Sequence, residues 1–302
     1  MRTPGSFSPL LLYGVRKAVQ KMQLAVFSLV CVGLVAGLPA PKTNVLPRSF
    51  QEGSARVVGG IEATPNQWPS IVSLNIVERN HHFCGGSLIA PNVVLSAAHC
   101  ADALDSGGYL PSQIVVKAGK HSLAAVEPSE QVLGVQGWLI HPNYDPNTID
   151  YDVALFFLSE NAELNDQVTL MPLVAAGQEF EGDTQCYTAG WGDTQDTADQ
   201  DKLQQATMPI VDHSTCNGFL YWWNIITPRM LCAGHWDGHQ TSCNGDSGGP
   251  LACPLPNGQY QQAGIVSFGV NGCVGTFKPT VFAKVGNLRN WIDSNMANAA
   301  GK

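Results

Sequence analysis

Charge is scarce in this chain: 13% of its 302 residues are Asp, Glu, Lys or Arg, against 44% hydrophobic. Disordered chains show the opposite balance, so a buried core is expected. Basic residues are the rarer sign, 16 against 24 acidic, for a formal net charge of −8. No Lys/Arg-rich run occurs, which excludes the basic footprint that a nucleic-acid binder needs. No apolar run reaches the roughly 18 residues of a membrane-spanning helix. Also missing are a Cys-x2-Cys pair, which excludes the usual zinc spacings, and any Asn-x-Ser/Thr sequon, so N-glycosylation is not expected. There is no repeat of fixed period and no low-complexity tract.

What charge there is lies unevenly. Residues 1–56 hold seven bases (Arg2, Arg16, Lys17, Lys21, Lys42, Arg48 and Arg56) and one acid, Glu52. Within them, residues 24–38 are uncharged, follow Arg16, Lys17 and Lys21, and lead into small residues and prolines. That order marks a secretory signal peptide, expected over 1–40 with an N-terminal extension ahead of Met22. Removing it removes Cys31, and the odd count of nine cysteines becomes eight. An even count behind a signal implies a disulfide framework and a secreted, extracellular protein, although eight cysteines allow 105 pairings.

Beyond residue 57, short runs of Val, Ile, Leu and aromatics are broken by Gly, Pro, Asn or Asp about every ten residues. Six strands are expected at 70–77, 83–90, 93–97, 113–118, 132–140 and 153–158. Six more follow at 184–191, 203–211, 229–233, 250–253, 260–268 and 280–285. Such spacing predicts an all-β barrel or sandwich. Leu288, Trp291, Ile292 and Met296 recur at helical spacing and predict one C-terminal helix over 287–297. The polar stretch 192–202 reads as a mobile surface loop.

Gly245-Asp246-Ser247-Gly248-Gly249-Pro250 sets a serine among three glycines, where bare amides are available to an oxyanion. A serine hydroxyl is a weak nucleophile until a base takes its proton, so a histidine and a group that orients it are required elsewhere. Chain order limits the choices. No histidine follows Ser247, which excludes the α/β-hydrolase order, and the first Asp, Asp102, follows His99, which excludes the subtilisin order. His, then Asp, then Ser remains.

Ala97-Ala98-His99-Cys100, Tyr151-Asp152-Val153-Ala154-Leu155 and the 245–250 run resemble the three catalytic signatures of chymotrypsin-type serine peptidases. Ser242-Cys243-Asn244, Trp222-Trp223 and Lys278-Pro279-Thr280-Val281-Phe282 make the chain most similar to the chymotrypsin-like elastases. The resemblance implies two six-stranded antiparallel β-barrels, about 57–165 and 175–285, with the helix after them. It also implies His99 as general base, Asp152 as its orienter, Ser247 as nucleophile, and the Gly245 and Ser247 amides as the oxyanion hole. Ser267 matches the serine that supports the aspartate, and Asp150 is expected to be a solvated turn carboxylate. Disulfides Cys84–Cys100, Cys186–Cys253, Cys216–Cys232 and Cys243–Cys273 are implied in the same way.

By the same resemblance, 41–56 is an activation propeptide, cut after Arg56 by a trypsin-like protease so that the Val57 ammonium pairs with Asp246. The mature peptidase domain, 57–302, then carries nine bases and 23 acids, a charge of −14. The substrate pocket is expected from Thr241, Asn244, Ser267, Phe268, Gly269 and Thr280: neutral where trypsins have aspartate, open at Gly269 and shallow at Thr280. That suits Leu, Met or Phe before the scissile bond. Calcium-binding relatives have a glutamate at the position of Lys120, so an ion pair with Glu130 is expected there in place of calcium. The His235/His239 pair sits in a glycine-containing loop and is not read as a metal site. No cofactor or metal is implied. The implied partners are peptide or protein substrates, the activating protease and protein inhibitors, with the enzyme a monomer. Non-catalytic homologues that serve as binding modules usually lose a triad member or the oxyanion glycine, and none is lost here.

Overall fold

A computed structural model describes residues 59–193, 201–271 and 273–300. The expected signal and propeptide, Arg56, Val57 and most of the 192–202 loop lie outside the described residues. The described residues form one compact unit.

The chain enters through β1 (Ile61–Glu62), then builds β2 (Ile71–Ile76), β3 (His81–Ala90), β4 (Val93–Ser96), α1 (Ala98–Ser106), β5 (Ile114–Ala118), β6 (Gln131–Ile140) and β7 (Ala154–Leu158). Strands β2 to β7 close into an antiparallel barrel in the order β2-β3-β4-β7-β6-β5. The second half contributes β8 (Gln185–Gly190), β9 (Gln204–Val211), α2 (His213–Cys216), β10 (Met230–Ala233), β11 (Pro250–Pro254), β12 (Tyr260–Phe268), β13 (Thr280–Lys284) and α3 (Val285–Ala300). Its six strands form the second barrel, closed because β8 pairs with both β9 and β11. All twelve strands expected from sequence are present, with bounds shifted by a residue or two.

Alternation explains why they form. In β9 every second residue is buried, and β5 reads the same way, so each strand turns one face to a barrel interior. Leu74, Leu88, Leu95, Ile114, Leu155 and Phe156 fill the first interior, and Met208, Leu251, Ile265 and Phe282 the second. Leu288 and Ile292, one turn apart on α3, are fully covered. All four expected disulfides are formed. Among the described residues no helix is long and apolar enough to cross a membrane.

Elements that the hydrophobic pattern did not anticipate are β1, which adds two residues to the edge of β9, the four-residue α2, and α1. The buried face of α1 is Ala98, Cys100, Ala101 and Leu104, mostly residues too small to give a helical apolar rhythm.

The barrels meet backbone to backbone. The Gly85 amide of β3 donates to the Ser247 carbonyl at 2.8 Å. A Cβ on Gly248 would stand 2.1 Å from Ser96 Oγ and 2.5 Å from the Gly85 carbonyl oxygen, so only glycine fits. This contact sets the serine-bearing turn of the second barrel against β3 and β4 of the first.

Phe282→Ala should lower unfolding stability by about 3–5 kcal/mol, through lost burial and the cavity left behind, read as a shift in denaturation midpoint.

Candidate active site

His99 stands in the first turn of α1, directly after β4, and Asp152 lies two residues before β7. Both are therefore held by first-barrel strands. Asp152 is 1% exposed. Its Oδ1 accepts from the His99 amide at 2.8 Å, and its Oδ2 from His99 Nδ1 at 2.8 Å and from Ser267 Oγ of β12 at 2.5 Å. The acid thus fixes the tautomer of His99: Nδ1 carries the proton and Nε2 is left to act as a base. Burial alone would lower the His99 pKa. The charge and hydrogen bond of Asp152, with a smaller contribution from Asp102, outweigh it and hold the pKa above the ordinary histidine value.

Ser247 follows a turn in which Gly245 has φ +98°. Among the described residues, neither the Gly245 nor the Ser247 amide donates to a protein acceptor. The Gly245 carbonyl is tied down by His82, whose Nε2 lies 2.9 Å away. Burial pushes the His82 pKa down to about 4, so this ring is neutral. Asn75 Nδ2 donates to Ser73 Oγ, which leaves the Ser73 hydroxyl to donate to His82 Nδ1 at 2.7 Å and His82 Nε2–H to donate to Gly245.

Asp246 is buried, and its two oxygens accept from the Gly192 and Cys243 amides, each at 2.8 Å. A Cβ on Gly192 would fall 2.5 Å from that carboxylate. Burial drives the Asp246 pKa up to about 6; the two amides oppose the rise and the nearby Asp193 charge adds to it. Among the described residues no cationic side chain pairs with it.

Beside Ser247 opens a cleft of about 280 Å³. Asn244, Ser267, Phe268 and Gly269 line it as expected, and a Cβ on Gly269 would touch nothing within 4 Å. Thr241 and Thr280 do not line it. They are buried behind Ser242, with their hydroxyls 2.9 Å apart and Ser242 Oγ 3.1 Å from Thr280 Oγ1. Sequence reasoning missed Ser242, Cys243, Val266, Val270, Asn271 and Cys273 as lining residues. The first five lie within two residues of expected positions, and the Cys243–Cys273 disulfide brings the sixth to the rim.

One expectation is corrected. Asp150 is not a solvated turn carboxylate; it is largely buried and bonded by the Arg229 guanidinium, the Thr227 hydroxyl at 2.9 Å and the Tyr151 amide at 2.8 Å. Arg229 also stacks over the Tyr151 ring. Burial alone would raise the Asp150 pKa, but these donors hold it below the usual carboxylate range. The expected Lys120–Glu130 pair is present at 2.8 Å, with Lys120 Nζ also donating to the Ala125 carbonyl at 2.7 Å. His235 and His239 bring their rings to 4.1 Å. Among the described residues only Cys84, His99 and Cys100 cluster three potential metal-binding atoms, and both sulfurs are taken up in a disulfide.

The family model for trypsin matches residues 57–292. The chain belongs to the trypsin family. Chymotrypsin-like elastase family member 1 of Felis catus is 41% identical over 257 residues, covering 83% of this chain and 93% of its own. The human protein of that name is 40% identical over 257 residues, 83% and 96% respectively, and that of Macaca fascicularis is 40% identical over the same span. This trypsin-family chain is accordingly a chymotrypsin- or elastase-like serine endopeptidase, acting on protein or peptide substrates.

Asp246 supplies a test of the burial argument. Its carboxyl binds a proton more tightly folded than unfolded, so the full-length chain should lose stability as pH rises from about 4 through about 6, by roughly 3 kcal/mol from this group. Between about pH 4.5 and about pH 7.5 the urea midpoint of the wild-type chain should therefore fall relative to that of Asp246→Asn, which lacks this titration.

Proposed function

We propose that the protein is secreted as a zymogen and hydrolyses peptide bonds after Leu, Met or Phe through an acyl-enzyme on Ser247. The observation that carries the reading is the Asp152 carboxylate, bonded twice to His99 and once to Ser267, beside an open, neutral cleft that Ser247 lines. His99 takes the Ser247 proton as the hydroxyl attacks the scissile carbonyl, and returns it to the leaving amine; Asp152 stabilises the imidazolium in between. Water then attacks the ester by the same route in reverse. The unengaged Gly245 and Ser247 amides are the donors for the developing oxyanion, and losing such a donor costs on the order of 3 kcal/mol in related proteases.

Residues 1–40 direct secretion and 41–56 are the activation peptide. Cleavage after Arg56 frees the Val57 ammonium to pair with Asp246, whose burial without a cation is unfavourable. That gain supports a coupling between cleavage and the turn at Gly245, the residue directly before the acid.

The specificity follows from the cleft. A Lys or Arg side chain would be buried against hydroxyls with no counter-charge. The Thr280 hydroxyl, tied to Thr241 and Ser242, fills the depth that a longer pocket would use, and Gly269 leaves the wall open.

The full chain should be inert until treated with trypsin, then cleave Leu and Phe anilides well, Ala poorly and Arg least. Activity from an identically treated Ser247→Ala chain would overturn the mechanism, and a preference for Arg would overturn the pocket. Asp152→Asn should reduce kcat by roughly 10⁴-fold, a figure carried over from other members of the family. Because His99 must be neutral and its pKa is raised, kcat/KM should fall with acidification about a midpoint above 6.5, and Asp152→Asn should move that midpoint down. Thr280→Gly should raise the Phe-to-Leu ratio of kcat/KM by about tenfold.

A further inference from the structure

The loop between α2 and β10 carries large apolar side chains into water. Phe219 is 75% exposed and Leu220 64%, with Trp223 and Ile225 exposed beside them. Among the described residues, the Phe219 carbonyl and the Leu220 amide, the two halves of one peptide bond, form no backbone hydrogen bond. The surrounding turns close on themselves: Tyr221 and Trp223 donate to the Gly218 carbonyl, Trp222 to Cys216 and Asn224 to Asn217. Trp223 and Asn224 have φ of +27° and +59°, a conformation that costs a non-glycine residue of order 1–3 kcal/mol. A strained segment whose bonds are mostly internal opens locally without unfolding the barrels.

From this we infer that the protein is a substrate of its own kind, cut by a second copy between Phe219 and Leu220. This rests on the apolar preference proposed above. Ser247 Oγ of the acting copy acylates on the Phe219 carbonyl, the Leu220 amine leaves with the proton delivered by His99, and one water hydrolyses the ester.

The alternatives on this surface are poorer. Leu110 precedes Pro111, Leu139 is fixed within β6, and Leu164 lies among Glu163, Asn165 and Asp166 in a chain already acidic. The 192–202 loop contains no Leu, Met or Phe before its end. The cut lies inside the Cys216–Cys232 loop and is also spanned by Cys186–Cys253, so the two pieces stay joined. It would free one end of the segment that carries Trp222, whose ring meets Phe268 of the cleft edge-on at 5.5 Å and donates to the Pro279 carbonyl. Nicking therefore modifies the rim of the cleft without dissociating the enzyme.

The test incubates trypsin-activated enzyme, freed of trypsin, with an excess of identically processed Ser247→Ala chain as the uncut reporter. Expected are a gain of one water with no separation on a non-reducing gel, and, after reduction, a fragment whose N-terminal sequence begins at Leu220. In the reporter, F219S/L220S should slow nicking by about tenfold or more. The same pair in the active chain should leave initial anilide rates, read directly after activation and before nicking, unchanged. A reporter that stays intact, or is cut only elsewhere, while Leu and Phe anilides are turned over would overturn this inference and leave the proposed function standing. Failure on every anilide would remove both.

Discussion

The Asp152 carboxylate accepts three hydrogen bonds out of reach of water, and the rest of the site depends on where they come from. Two are from His99, its neighbour in the first barrel, and one is from Ser267 in the second. A buried charge with fewer partners would be several kcal/mol less favourable, so the folded state strongly prefers the geometry in which the donors converge. Those same donors hold the imidazole by a ring nitrogen and by its own backbone. Orientation of the base is thus a by-product of solvating the acid, and it joins the two barrels where the cleft lies.

A second buried acid, Asp246, is handled differently. Only two amides reach it, and they do not compensate for its desolvation, so its proton is held to about pH 6. Asp152 and Asp246 show two outcomes of burying a carboxylate: one supplied with donors, including a polarisable imidazole, and one short of positive charge. Asp150 illustrates a third, in which a guanidinium across the barrel boundary supplies a full counter-charge.

The strands were readable because each needs to cover one face, and a period of two survives in the residue pattern of β5 and β9. Helix α1 was not readable, since Ala98, Cys100 and Ala101 bury little area and leave no rhythm of large side chains. Strand β1 is two exposed residues held by a short ladder to β9 and by the Glu62–His121 contact, which no hydrophobic pattern records. In the site, the order of His99, Asp152 and Ser247 narrowed the chemistry from the chain itself, whereas the disulfide pairing came from the family resemblance and not from spacing. Thr241 and Thr280 were expected at the pocket surface, but they lie one layer deeper, behind Ser242, whose hydroxyl donates to Thr280 while Thr280 and Thr241 bond each other. Asp150 was misjudged because its partner Arg229 is distant in sequence, and only folding brings the two together.

The glycine contact between the barrels also bears on how such a molecule can be recombined. At Gly85 and Gly248 no side chain separates the halves, so there is no adjustable layer that could absorb a mismatch. A chimera that exchanged one barrel for a relative's would have to reproduce main-chain positions to a few tenths of an ångström, rather than merely match surface residues. The two barrels, though each closes its own sheet, are for this reason inherited as a pair.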